Sequence, residues 1–154
     1  MNARTETRGV TLTVAPLGRG DIRQAYALVR EAMPAVSVDD WQRFAGALLD
    51  RRRRHAGILC TWSDNRYVRG LAAYAVRAEV DMARVLRVEL LIVSTMFAPS
   101  MVLNVIKNAL EDCARHHGCA GVKVEIPADR EWLIGAFALG GYHPAGACLV
   151  KPIA

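Results

Sequence analysis

Three strand-like runs follow one another in the middle of this 154-residue chain, and only short turns separate them. The runs are Gly57 to Trp62, Tyr67 to Ala78 and Arg84 to Val93. Turn-forming residues lie at Ser63 to Arg66 and near Asp81. Because consecutive strands joined by tight turns pair in antiparallel fashion, the sequence predicts an antiparallel meander as the centre of a sheet.

A long amphipathic segment follows the meander. Between Met101 and His117 the apolar side chains recur at helical spacing, and Gly118 is suited to a C-terminal cap. A strand over Gly121 to Ile126 is predicted next. A strand reached through a helix pairs in parallel, so the sheet is expected to change from antiparallel to parallel pairing here. Ligands often bind where strands diverge or change order, which indicates the stretch between Glu89 and Met101.

The flanking segments complete the predicted order. They comprise a strand over Val10 to Val14, a helix capped by Asp21, a second helix from Ser37 or Asp39, a short helix over Arg130 to Leu139, and a last strand around Gly146 to Val150. The predicted fold class is therefore α/β (α+β), with a mixed central sheet of about six to seven strands flanked by about four helices.

The composition favours one domain over residues 1–154, of which residues 1–8 are expected to be flexible. The apolar fraction is 53%, and no Ser/Gly/Pro-rich stretch indicates a linker. The N-terminus lacks the apolar core of a signal peptide, and no apolar run is long enough to span a bilayer, so we expect a cytoplasmic protein without a membrane partner. The four cysteines form no C-x-x-C pair, and no metal is expected.

The net charge of +5 would attract anions, nucleic acid among them. The densest basic run, Arg51 to His55, follows a predicted helix, where cations complement the negative end of the helix dipole. No aromatic residues alternate with these arginines. Nucleic-acid binding is therefore the less favoured interpretation.

Three segments carry a resemblance to a known family: Leu90 to Val93 running into the long helix, Trp132 to Pro144 with the final Leu149 to Lys151, and the opening Leu17 to Val29. Together they resemble the GNAT (Gcn5-related N-acetyltransferase) superfamily. The resemblance implies transfer of an acetyl group from acetyl-CoA to a small-molecule or peptide amine, and it suggests a homodimer. It also implies a set of cofactor-binding residues: Leu91, Ile92, Val93, Ser94, Ser100, Met101, Val102, Leu103 and Arg130.

The chain departs from the pattern of that family in its cofactor loop. The family has Gln or Arg, Gly, and Gly or Ala where this chain has Ala98, Met101 and Leu103, and Pro99 removes one N–H. A frequent Tyr that protonates the leaving thiolate is matched by Phe137, and a frequent Asn by Arg130. Two readings follow: an N-acetyltransferase with an altered, degenerate loop, or a catalytically inactive ligand- or protein-binding module.

Glu89 is the candidate general base, because acetyl transfer requires removal of a proton from the substrate ammonium. Leu86, Val88, Leu90 and Ile92 are expected to share one strand face, with Glu89 on the other. A surface ion pair of Glu89 with Arg77 or Arg69 is the equally open alternative.

Three further expectations concern the surroundings of Glu89. Tyr74 and Glu125 are candidate substrate contacts, although core packing for Tyr74 and a solvated strand face for Glu125 are open as well. The oxyanion donor is expected to be a backbone N–H near Val93 or Ser94.

Overall fold

The computed structural model describes residues 3–7, 10–50 and 52–153. The chain forms two compact units, Met1–Val124 and Glu125–Ala154. The elements are, in chain order, β1 (Ala3–Thr7), β2 (Val10–Pro16), a 3-10 turn (Arg19–Asp21), α1 (Ile22–Ala32), α2 (Val38–Leu48), β3 (Ala56–Ser63), β4 (Val68–Glu79), β5 (Ala83–Val93), α3 (Pro99–His116), β6 (Gly121–Val124) and α4 (Glu131–Leu139). Among the described residues no helix is both long and apolar enough to cross a bilayer.

The six strands form one sheet in the order in which they occur in the chain. All neighbours pair in antiparallel fashion except β5 and β6, which are parallel. The mixed sheet, the central meander and the four α-helices confirm the predicted fold class. The second helix was expected to start at Ser37 or Asp39; the structure makes Ser37 its N-cap residue, since its Oγ accepts the Asp40 N–H at 3.1 Å.

The structure differs from the sequence prediction at three places. Within residues 1–8, which were expected to be flexible, residues 3–7 form β1 and pair with β2 from Ala3↔Val14 to Thr7↔Val10, whereas residues 1, 2 and 8 lie outside the described residues. The strand from Gly121 ends at Val124 instead of Ile126, where Pro127 supplies no backbone N–H for a ladder. The predicted last strand is absent, because Leu149 and Val150 are 94% and 83% exposed and the segment has no strand partner.

The two faces of the sheet are covered by different helices. Side chains of α1 and α2 form one apolar cluster with strand residues such as Leu71 and Ile92. Trp41 of α2 is buried in this cluster, and its indole N–H donates to the carbonyl oxygen of Ile22 at 2.7 Å. Gly70 faces the other way, toward Val102 in the first turn of α3. Successive strand residues alternate between faces, so α3 packs on the face opposite α1 and α2.

One extra residue interrupts the pairing of β4 with β5. Ala73 pairs with Leu90 and Tyr74 pairs with Val88, so Glu89 has no partner residue and forms a β-bulge. Because of this extra residue, β5 side chains on the two sides of the bulge do not follow one continuous alternation between the faces of the sheet. Leu90 packs against the α1–α2 cluster, whereas Val88 shares the α3 face with Tyr74. The prediction that Leu86, Val88, Leu90 and Ile92 share one face was therefore wrong.

Candidate functional site

The C-terminal half of β5 has an edge that β6 does not cover. Strand β6 pairs with Val85 to Val88 only, and its last pair is Val88↔Val124. On the other edge, the Ser94 N–H donates to the Arg69 carbonyl oxygen on the β4 side at 2.8 Å. In an antiparallel pair every second residue bonds to the same neighbour, so Ile92 points its backbone groups to β4 as Ser94 does. Leu91 and Val93 therefore direct their N–H and C=O groups to the edge beyond β6.

Five residues, 94–98, separate the end of β5 from the start of α3. Its N-cap, Ala98, has φ 39° and ψ 55°, a left-handed conformation that is costly for a residue with a Cβ. Pro99 has no N–H, and the N–H groups of Met101 and Val102 both donate to the Ala98 carbonyl oxygen at 3.0 Å. The Ser100 N–H is thus the donor of this first turn without an acceptor inside the helix.

The side chains of this first turn separate into a buried and an outer group. Val102 and Leu103 are buried, with exposed fractions of 0% and 1%, whereas Met101 is half-buried and Ser100 is exposed. Met101 and Leu103 stand where the resembled family has Gly and Gly or Ala, and a larger side chain at either position could narrow the space for a phosphate. Of the two, only Met101 has a side chain outside the core.

An arginine lies beside the loop that joins β5 to α3. The guanidinium carbon of Arg69 is 4.4 Å from the centre of the Phe97 ring and 5.3 Å from that of Tyr67. Both distances are within the range of a cation–π interaction. Among the described residues Arg69 has no carboxylate partner, and its Nε atom is buried without a hydrogen-bond acceptor.

Glu89 lies in the bulge, one residue beyond the point at which β6 stops pairing. Its Oε1 is 3.3 Å from Nη2 of Arg77, across the strand pair, and its side chain is one-third exposed (33%). The structure therefore contains the ion pair that the sequence offered as one alternative, with Arg77 and not Arg69 as partner. A partly exposed carboxylate beside an open strand edge can still accept a proton through water.

Solved structures with the same arrangement of strands and helices include several acetyltransferases and one protein named as a transcriptional regulator. The aminoglycoside N-acetyltransferase AAC(6')-Iy in complex with CoA superposes with a TM-score of 0.82 at 14% identity, over 97% of this chain and 99% of that one. The glucosamine-6-phosphate N-acetyltransferase of Arabidopsis thaliana gives a TM-score of 0.73 at 12% identity, over 97% of this chain and 100% of that one. The chain has the GNAT fold. No protein-family model matches it, and no curated protein sequence matches it significantly.

Tyr74 of this GNAT fold faces α3. It lines a cavity of about 200 Å³ with Cys113 and His117 of the C-terminal part of that helix. Burial raises the pKa of the Tyr74 hydroxyl, and its hydrogen bond with Cys113 raises it further. The structure thus gives Tyr74 the packing role that the sequence left open.

Three histidine rings, those of His55, His116 and His117, lie close together at the C-terminal end of α3. His117 is the C-cap residue of the GNAT-fold helix α3, and its N–H donates to the Cys113 carbonyl oxygen at 3.0 Å. Its imidazole lies 5.5 Å from that of His116 and 5.6 Å from that of His55, centre to centre. Burial lowers the pKa of His117, and the positive charges of His116, His55 and Arg84 lower it further.

The remaining predicted site residues belong to the second unit of this GNAT fold, Glu125–Ala154. Glu125 follows the end of β6 and lies in no strand, so its predicted alternation along a strand was wrong. Arg130 is the N-cap residue of α4. Phe137 is buried, with its ring 4.8 Å from that of Tyr142.

Proposed function

We propose that the chain is an acetyl-CoA-dependent N-acetyltransferase that acts on a small-molecule or peptide amine. The observation that carries this proposal is the edge of β5 beyond Val88, where β6 no longer pairs and no strand among the described residues takes its place; this edge leads to the start of α3. A strand edge of this kind can pair with the two amides of a pantetheine arm. A helix start favours a phosphate group through its dipole and its unpaired N–H groups.

The chain's own backbone supplies the binding groups. The backbone of Leu91 and the carbonyl oxygen of Val93 would hold the pantetheine amides, and the Ser100 N–H and hydroxyl would hold one phosphate. Acetyl-CoA, when bound, supplies an acetyl thioester. The Val93 N–H is the better candidate for the oxyanion donor, because the Ser94 N–H is already bonded to the Arg69 carbonyl oxygen.

Glu89 would accept the proton of the substrate ammonium, directly or through water, before the amine attacks the thioester. Its position at the bulge supports this role, since the strand edge that would carry the acetyl group begins there. Arg77 would orient the carboxylate through the 3.3 Å ion pair. Arg130 is the remaining candidate contact for the cofactor, and Glu125 for the substrate.

Binding is tested first by thermal unfolding with acetyl-CoA, CoA and ATP as the control nucleotide. Ligand at a hundredfold excess over its Kd adds about 2.7 kcal/mol, or roughly 5–10 °C in Tm for a chain of this size. We expect this shift with the two CoA compounds and not with ATP. No shift at millimolar CoA would contradict the proposal and favour the inactive binding module.

Catalysis is tested with the Glu89→Gln variant and an amine panel, by chromatographic detection of released CoA. Loss of a general base should lower kcat by about 10²- to 10⁴-fold while the Kd for CoA stays nearly unchanged. The matched control is Arg77→Gln, which breaks the same ion pair but keeps the carboxylate, so its kcat should fall much less. An unchanged kcat in Glu89→Gln would remove Glu89 from the mechanism.

A further inference from the structure

In the Tyr67–Arg69–Phe97 cluster, the positive charge of Arg69 has no counter-ion among the described residues. The guanidinium is in contact range of two aromatic rings, and the described residues offer it no carboxylate. Its Nε is shielded from solvent and has no acceptor. Buried donors in folded proteins are nearly always satisfied, so an arginine donor without an acceptor calls for an explanation. An anion that binds to the guanidinium would supply the counter-charge that the described residues do not provide.

The cluster lies at one particular loop. The Arg69 backbone accepts the Ser94 N–H at the start of the β5–α3 loop, and Phe97 directly precedes the N-cap residue Ala98. The first turn of α3 contains no acidic residue that would neutralise this charge. The guanidinium and the positive end of the helix dipole therefore act on the same loop.

The helix start by itself is poor in hydrogen-bond donors. Pro99 offers none, and the N–H groups of Met101 and Val102 are taken by the Ala98 carbonyl oxygen. A diphosphate carries several acceptor oxygens, which the Ser100 N–H and hydroxyl alone cannot satisfy. An arginine can donate two parallel N–H bonds to a phosphate group, and the two rings would hold its planar head in place.

We propose that Arg69 binds the diphosphate of CoA and compensates for the donors that the α3 start lacks. This inference rests on the proposed function, because it names a further residue of the same cofactor site. The proposed phosphate contact comes from strand β4. The sequence, by contrast, predicted phosphate binding from residues of the β5–α3 loop and the start of α3.

The test compares Kd values of Arg69→Met, Arg69→Lys and the wild type for three probes: CoA, 3'-dephospho-CoA and pantetheine. Loss of a charged hydrogen bond should weaken CoA binding of Arg69→Met by about 10- to 100-fold. The same loss is expected with 3'-dephospho-CoA, which keeps the diphosphate, and none with pantetheine, which has no phosphate. Arg69→Lys keeps the charge but not the planar fork, so its loss should be smaller. Arg23→Met, at an exposed position of α1, controls for net charge and should bind all three probes like the wild type.

Each other result overturns the assignment in a different way. An equal loss for all three probes would mean that Arg69 only holds the loop in shape. A loss confined to CoA would place the contact at the 3'-phosphate. Normal CoA binding by Arg69→Met would refute the inference alone, whereas a wild type that binds no CoA would refute the proposed function and this inference with it.

Discussion

Replacing Gly70 by alanine tests the close approach of β4 to the first turn of α3. A Cβ at this position would lie 2.7 Å from Cγ1 of Val102, 3.5 Å from the Ile92 carbonyl oxygen and 3.6 Å from Cδ1 of Ile106. Val102 is fully buried, and a β-branched side chain in a helix has essentially one χ1 rotamer, so it cannot turn away. The helix or the strand must shift.

The size of the effect follows from two opposing terms. Overpacking of a well-packed core costs about 1–3 kcal/mol. Loss of glycine's freedom in the unfolded chain returns about 0.4–1 kcal/mol. We expect a net destabilisation of about 1–2 kcal/mol, which lowers Tm by roughly 2–8 °C in a chain of this length. The affinity for CoA should fall as well, since the displaced turn carries the Ser100 N–H.

The matched control is Gly46→Ala in α2, where an added Cβ meets nothing within 4 Å. Alanine in a helix interior should stabilise by about 0.5–1 kcal/mol, so this variant should melt higher than the wild type. In the Gly70→Ala/Val102→Ala double variant the clash is removed, and urea unfolding should give a coupling energy of about 1 kcal/mol. A Gly70→Ala protein as stable as Gly46→Ala, or strictly additive double-variant energies, would refute the argument.

Three further predictions concern stability and reactivity. The pKa of His117 is lowered in the folded protein, so its contribution to stability is present above about pH 6.5 and is lost as the pH falls through the folded pKa. Between pH 7.5 and 5.5, Tm should therefore drop less in His117→Gln than in the wild type. An equal drop in both proteins would contradict this. Ser37→Ala removes the N-cap of α2 and should cost about 1 kcal/mol, or 2–4 °C in Tm, whereas an unchanged Tm would show that the cap bond contributes nothing. Iodoacetamide at pH 8 should alkylate the exposed Cys148 rapidly and the buried Cys60 only after unfolding, because burial raises the pKa of Cys60 to about 12. Mass spectrometry of the native protein after treatment checks this, and alkylated Cys60 in that sample would contradict it.

The sequence predicted most of the elements because each depends on local periodicity. The run from Tyr67 to Ala78 became β4, Val68–Glu79, and the segment Met101 to His117 became α3, Pro99–His116. The segment around Leu149 has the composition of a strand but no pairing partner. Whether a segment finds a partner strand depends on residues far away in the sequence, so local composition does not predict it. The composition of residues 3–7 did not reveal β1 for the same reason.

The candidate site was predictable as a region but not in its details. Leu91 to Ser94 and Ser100 were expected beside a cofactor, yet which of them direct backbone groups to the open edge depends on the pairing with β4. The bulge at Glu89 could not be read from the sequence, because the residues around it are apolar on both faces and alternation gives no signal there. The sequence predicted no role for Arg69 other than an ion pair with Glu89. Its stacking on Phe97 depends on the sheet register that sets it opposite Ser94.

The uncovered edge of β5 has an evolutionary consequence. A ligand held by the main-chain groups of Leu91 and Val93 requires strand geometry at these positions but no particular side chain. Selection on such a site preserves the path of the backbone and tolerates wide substitution. Main-chain binding of this kind would be compatible with the 9–16% identity between this chain and solved structures whose strands superpose on its own.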